Sequence, residues 1–263
     1  MRKTKTRKTK VRKTKLRKTR KHLKRKYKKL QKGGTLIDDI KEHIRPWVLA
    51  KCPDLDLNDL ISAVSLCEFD YARDLFINNH NPYLKKKYWY DLTTNPSDWA
   101  IQLLEENPNK IYWPSLWGNP SEWARNKLVQ QRPETEDEDE DEDEYEDVNW
   151  FVLSSNPSEW ATQLLDQHPE NIKWSELSLN PSEWAKNKLE KNPEKINWDI
   201  LSSNPSEWAR NKLDENPDNI DWVYLSSNPS EWALQLLEEN QDKIKCKMLR
   251  LNPGIFYQEH AMW

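Results

Sequence analysis

The dipeptide Asn-Pro returns along this chain at Asn95, Asn119, Asn156, Asn180, Asn204, Asn228 and Asn252, at intervals of 24, 24, 37, 24, 24 and 24 residues. A fixed period of this length is the signature of a repeat architecture, in which each unit buries its apolar face only against its neighbours. The long interval is one period plus 13 residues, so a single insertion interrupts the array and leaves its phase intact. Other columns keep the same register. Trp follows Asn by four residues at Trp99, Trp123, Trp160, Trp184, Trp208 and Trp232. A second Trp precedes Asn by six at Trp89, Trp113, Trp150, Trp174, Trp198 and Trp222, with Cys246 in the last place. Leu precedes Asn by three in all seven units, so 12 of the 15 Trp belong to the repeat and none of this is chance.

Each unit reads as two helices. In Asn204-Pro205-Ser206-Glu207-Trp208 the Asn is a good N-cap, Pro suits the first helical position, and Glu207 stands where a capping-box carboxylate meets the positive helix end. Trp208, Ala209 and Leu213 then share one face at helical spacing, and Asn216-Pro217 stops the helix. Asp221 caps a shorter second helix that begins at Trp222. Neither helix buries its face alone, which predicts an all-α solenoid of 24-residue two-helix repeats with one continuous core. At ~8–10 Å between packed helices, seven units make a curved rod of very roughly 60–70 Å. The Trp columns (Trp99, Trp123, Trp160, Trp184, Trp208, Trp232 and Trp113, Trp150, Trp174, Trp198, Trp222) are assigned to the repeat core, with some indole edges at the surface. An aromatic platform for sugars, bases or peptides is the alternative reading.

The array has ends. Val64 to Asn79 aligns without gaps to Leu201 to Asn216, with Tyr71 and Ala72 at the Trp and Ala positions, so residues 35–88 form an N-terminal helical cap with a degenerate repeat. Residues 89–263 are the array proper, and Asn252 to Trp263, which loses the Trp and gains Gly254, is its C-terminal cap. The phrase Leu225-Ser226-Ser227-Asn228-Pro229, followed by a Leu-Leu-Glu run and Ile-x-Trp, resembles the short tandem repeats of uncharacterised proteins from giant DNA viruses of amoebae. Asn252-Pro253-Gly254-Ile255-Phe256 is similar to the last unit of such arrays. The likeness covers roughly residues 85–260, implies a viral origin and brings no activity with it. Ser-Glu-Trp here departs from the commoner variable-residue-plus-Ile version.

The net charge of −3 conceals two poles. Residues 1–32 hold 19 Lys and Arg and no acid, while Glu134 to Asp147 hold 12 acids. Residues 1–34 are expected to be a disordered basic tail, because a block so charged has nothing to bury and its five-residue Arg-Lys-Thr period draws no helical stripe. Its cations, among them Arg2, Lys3, Arg7, Lys8, Arg12, Lys13, Arg17, Lys18, Arg20, Lys24 and Arg25, suit nucleic acid or another polyanion by counterion release, or nuclear targeting. An anionic membrane surface and a merely solubilising tail are the alternatives. Thr4, Thr9, Thr14 and Thr19 are places where phosphorylation would weaken the tail. Gly33-Gly34 reads as a hinge, or as a processing site. The acidic run, at about 134–147, is expected to loop out between units, as a solvated loop or a mask for the tail. Arg125, Lys186 and Arg210 share one column, three residues after Glu122, Glu183 and Glu207, and form a possible protein-contact column.

Catalysis finds no purchase. The five His fall at unrelated repeat positions, four Gly cannot build a phosphate loop, and no nucleophile–base ordering stands out. Three cysteines, Cys52, Cys67 and Cys246, with no close pair argue against a disulfide framework, against a zinc site and for a reducing compartment. No metal or cofactor is expected, no apolar run spans a bilayer, and there is no secretory signal. The expectation is therefore an intracellular or virion protein that is not secreted and is no enzyme. It would be a helical-repeat binding or scaffold protein with an unknown protein partner. The alternative is a virion structural or nucleic-acid-packaging protein in which the array is a spacer.

The tail makes a measurable difference. The full chain should bind duplex DNA or RNA with little sequence preference and an affinity that falls steeply with salt. Deleting residues 1–32 should abolish that binding in a salt-titrated fluorescence anisotropy assay; unchanged affinity at low salt would contradict the assignment.

Overall fold

The computed structural model of the protein describes residues 40–55, 57–68, 72–73, 82–131 and 148–256. The basic tail and the acidic run lie outside the described residues, as does Tyr71. The chain divides into two units, Met1–His43 and Ile44–Trp263. Of the first, only residues 40–43 are described, helical at 40–41 and a turn at 42–43, with His43 N–H donating to Ile40 O at 3.0 Å.

The second unit is all-helical with a regular repeat, and among the described residues there is no strand beyond one isolated bridge. Long helices run over Asp98–Glu106, Glu122–Gln131, Glu159–Gln167, Glu183–Lys191, Glu207–Glu215 and Glu231–Glu239. Short ones alternate with them at Trp113–Leu116, Trp150–Ser154, Trp174–Leu177, Trp198–Leu201, Trp222–Leu225 and Cys246–Leu249. A longer helix, Pro82–Thr94, precedes the array, behind the cap helices Pro46–Lys51 and Leu57–Ser65. The core repeats as well: Leu201, Ala209 and Leu213 are buried together against Ile196, Trp198, Trp208, Ile220 and Trp232, the last of them from the following unit. Among the described residues no helix is long and apolar enough to cross a membrane.

One local expectation needs correcting. Asn204 is not the N-cap of its long helix. Ser206 is, with extended backbone at φ −71° and ψ 151° and an Oγ that accepts from Ala209 N–H, so Glu207 opens the helix rather than standing one turn in. The same holds for Ser158, Ser182 and Ser230. Asn-Pro-Ser-Glu offers two capping residues, and the Asn is taken by a larger task. Its Oδ1 accepts from Ser206 N–H at 2.9 Å, while its Nδ2 donates to Ser178 O at 2.9 Å and Asn180 O at 3.1 Å in the preceding unit. Every array Asn does this. Asn119, Asn156, Asn180, Asn228 and Asn252 each bridge to two carbonyls of the unit before, the second always belonging to the previous Asn. The step from Asn119 to Asn156 keeps this geometry across the insertion.

A hydroxyl column runs alongside. Ser202 Oγ donates to Trp198 O and accepts from Asp221 N–H, both at 3.0 Å, joining one short helix to the start of the next. Ser154, Ser178, Ser226 and Thr93 repeat the pattern. The Asn and Ser columns are fully buried, and because buried polar groups are tolerated only when bonded, these bonds fix the register between units.

The ends of the array meet, a contact that unit spacing alone does not give. Asn95 donates to Ser65 O and Cys67 O, so the ladder extends back to these residues, with Cys67 supplying the carbonyl that an Asn supplies elsewhere. Cys67 Sγ lies 3.8 Å from Pro253 O of the last unit. Arg45 grips Glu231 through both guanidinium nitrogens at 2.8 and 2.6 Å and donates through its backbone N–H to Ile255 O and through Nε to Gly254 O. Ile44 pairs with Phe256 in an antiparallel bridge. Gly254 is required here, since a Cβ would run into the backbone of Pro229. Cys52 and Cys246 form a disulfide across 194 residues of sequence. This pair runs against reading the three cysteines as evidence against disulfide bonding and removes the cysteine argument for a reducing compartment, while Cys67 stays free. Sequence distance hid the pair, because the closure that brings residues 52 and 246 together is not written in their spacing.

Two outcomes test this account of stability. Asn204→Ala leaves two buried carbonyls and one N–H without partners and should cost about 3 kcal/mol. Asn216→Ala, which loses one part-buried bond to Lys212 O, should cost about 1 kcal/mol. Urea denaturation distinguishes them. Replacing Cys52 and Cys246 together by Ser should lower stability by about 2–5 kcal/mol, since the bond closes a very long loop; a melt unchanged by reduction would contradict the closure.

Candidate functional site

The array offers three surfaces that sequence reasoning singled out. The tail cations, Arg2 to Arg25, lie outside the described residues. The repeated charge column forms ion pairs along its helices: Arg125, Lys186 and Arg210 pair with Glu122, Glu183 and Glu207 at 3.4, 3.1 and 3.2 Å. These are exposed pairs worth tenths of a kcal/mol, so the column remains available to another charged surface.

The Trp columns divide by depth. Trp89, Trp99 and Trp160 are buried, while Trp113, Trp123, Trp150, Trp174, Trp184, Trp198, Trp208, Trp222 and Trp232 are half-buried. The column that follows Asn has a polar rule. Trp123, Trp184 and Trp208 each donate their indole N–H to the carboxylate 18 residues earlier, on Glu105, Asp166 and Glu190, at 3.1, 2.8 and 3.0 Å. The acceptor always follows the buried Leu of the preceding long helix. Lys188 sits 2.7 Å from Asp166 and also covers the Trp184 ring at 5.1 Å. Its hydrogen bond, ahead of that from Trp184, holds the Asp166 carboxyl below its ordinary range. Trp99 and Trp232 use backbone carbonyls instead, Cys67 O and Pro205 O.

Trp160 breaks the rule. Its indole is buried and its Nε1 has no hydrogen-bond partner among the described residues. The residue in the acceptor position is Val129, at the end of the helix Glu122–Gln131 that precedes the insertion. The neighbouring hydroxyl column breaks in the same unit, where Trp117 replaces the buried Ser and stacks at a tilt on Trp160 with centroids 6.4 Å apart. Between them lies a cleft of about 190 Å³ lined by Trp117, Arg125, Leu128, Val129, Trp160, Gln163, Leu164 and Gln167. Val129 is an exposed large hydrophobic residue beside it. Sequence reasoning missed this place because it followed the columns that persist. The signal was present as an apolar residue in an otherwise acidic position.

Other chemistry is sparse. Cys67 is buried, and burial, with Glu68 second, pushes its thiol far up, so it is no nucleophile at neutral pH. Among the described residues no group of His, Cys, Asp or Glu is placed to hold a metal ion. Comparison with known protein families, curated proteins and solved structures finds no match.

The indole–carboxylate link is testable by titration. Because the folded Asp166 carboxyl lies below its ordinary value, its contribution to stability is present above that value and is lost as pH falls through the lowered one. Lys188→Met should raise the Asp166 pKa in a carbon-13 NMR titration, and Trp184→Phe should raise it less; the reverse order would reassign the cause.

Proposed function

We propose that this chain is a non-catalytic helical-repeat scaffold of viral origin, built as a solenoid, which presents its charged column to a protein partner. Residues 1–32 hold nucleic acid or direct the chain to the nucleus. One observation carries the reading. The repeated buried polar groups, Asn and Ser, are spent on joining one unit to the next, whereas the repeated exposed groups are ion pairs with little intrinsic worth. Energy invested inside the stack and withheld from its surface suits a rigid display of evenly spaced charges. Such a surface favours a partner with complementary charge, recognised by electrostatic fit and association rate more than by buried area.

The test is a double charge reversal, Lys186→Glu with Arg210→Glu, in residues 35–263. The unaltered array should retain a partner from infected-cell extract that the double variant releases, with both proteins melting alike. Retention by both would remove the column from the reading. An array that retains nothing, in a protein abundant in purified particles, would favour a structural role in which the tail is the working part.

A further inference from the structure

The indole N–H column sets out what the cleft beside Trp160 lacks. In three sister units the same N–H is met by a carboxylate. At Trp160 the position that supplies those carboxylates holds Val129, which lines the cleft and has no carboxylate to give, and the N–H is left without a partner among the described residues. A buried donor left unmade is costly, and a charged acceptor relieves it most. Arg125, half-exposed, is on the same cleft wall, its NH1 held only loosely by the exposed Glu122 at 3.4 Å. The remaining wall is apolar or amide: Trp117, Leu128, Leu164, Gln163 and Gln167. Ligand sites pair an apolar body with a few placed polar groups, and this cleft, at about 190 Å³, has room only for a small one.

We infer that the cleft between Trp117 and Trp160 binds an organic carboxylate with an apolar body, its carboxylate accepting from Trp160 Nε1–H and pairing with Arg125. The carboxylate takes the place that Glu105, Asp166 and Glu190 fill elsewhere, and the exposed Val129 side chain swings aside to admit it. The apolar body lies on the Trp117 ring. The ligand comes from outside the chain. The adjacent acidic run, Glu134 to Asp147, carries carboxylates in plenty but only Tyr145 as an aromatic and no aliphatic side chain larger than Thr135. This site goes beyond the scaffold reading: of the charged column only Arg125 lines the cleft, and the scaffold test alters Lys186 and Arg210 alone, so the two readings fail separately.

The probe is 3-phenylpropionate, with 3-phenylpropanamide as its uncharged match, added to the full chain and followed by the nitrogen-15 indole resonances. Trp160→Phe identifies the Trp160 signal by its loss. The acid should move that resonance downfield to saturation, and the amide should bind at least about tenfold more weakly. Val129→Glu restores the sister acceptor at an exposed position. Its Trp160 resonance should already lie downfield without probe, the other indole signals should stay in place, and probe affinity should fall at least about tenfold. Equal binding of acid and amide, a shift at indoles other than Trp160, or a Val129→Glu chain that binds as the unaltered one does would each overturn the proposal. A chain in which the Asn-Pro turn of a sister unit replaces residues 134–147 supports an outside ligand if it binds the probe as well or better. If only that chain binds, the acidic run holds the site itself and the proposal fails.

Discussion

The structure depends on the side-chain amide of one asparagine per unit. Each carboxamide accepts from a backbone N–H two residues on and donates to two carbonyls of the unit before, so one planar group holds the turn of its own unit and the seam to the last. The position is fully buried, which removes water as a competitor and makes each bond worth more than it would be at the surface. Only Asn meets these needs: Asp has no donor, Gln is too long for the turn, and Ser lacks the second hydrogen. Pro suits the next position because a residue before Pro prefers extended backbone, which the bonded Asn252 adopts at φ −79° and ψ 117°.

The two ends of the ladder are bonded to each other. The meeting is less regular than the ladder it completes. Cys67, a weak donor, replaces Asn in the column. Arg45, the Ile44–Phe256 bridge and the Cys52–Cys246 bond supply what the imperfect repeat does not. A repeat array with free ends frays from them, and a bonded seam suppresses that fraying.

Much of this was legible in the residues, and the failures are instructive. The Trp and Leu columns gave the long and short helices of each unit in the right order, because helical spacing depends on a few residues on one strip of chain, but not the 3-10 turns between them at Pro108–Lys110, Pro169–Asn171, Pro193–Lys195 and Pro217–Asn219. The capping residue was misassigned because Asn204 and Ser206 are both good caps, and the choice turns on carbonyls contributed by another unit. The disulfide was invisible for a related reason: a period of 24 residues states the translation between units but not the angle, and the angle decides whether residues 52 and 246 meet. The gap at Trp160 lay in plain view as Val129 among Glu105, Asp166 and Glu190, yet its meaning required knowing that the column accepts from an indole.

The central claim is that the buried carboxamides join the units, and hydrogen exchange at those side chains reaches it directly. In nitrogen-15 spectra the Nδ2 protons of Asn95, Asn119, Asn156, Asn180, Asn204, Asn228 and Asn252 should exchange at least about a hundredfold more slowly than those of the exposed Asn187 and Asn211, since they open only when units part. Exchange of all nine at one fast rate would contradict the ladder and the fold built on it.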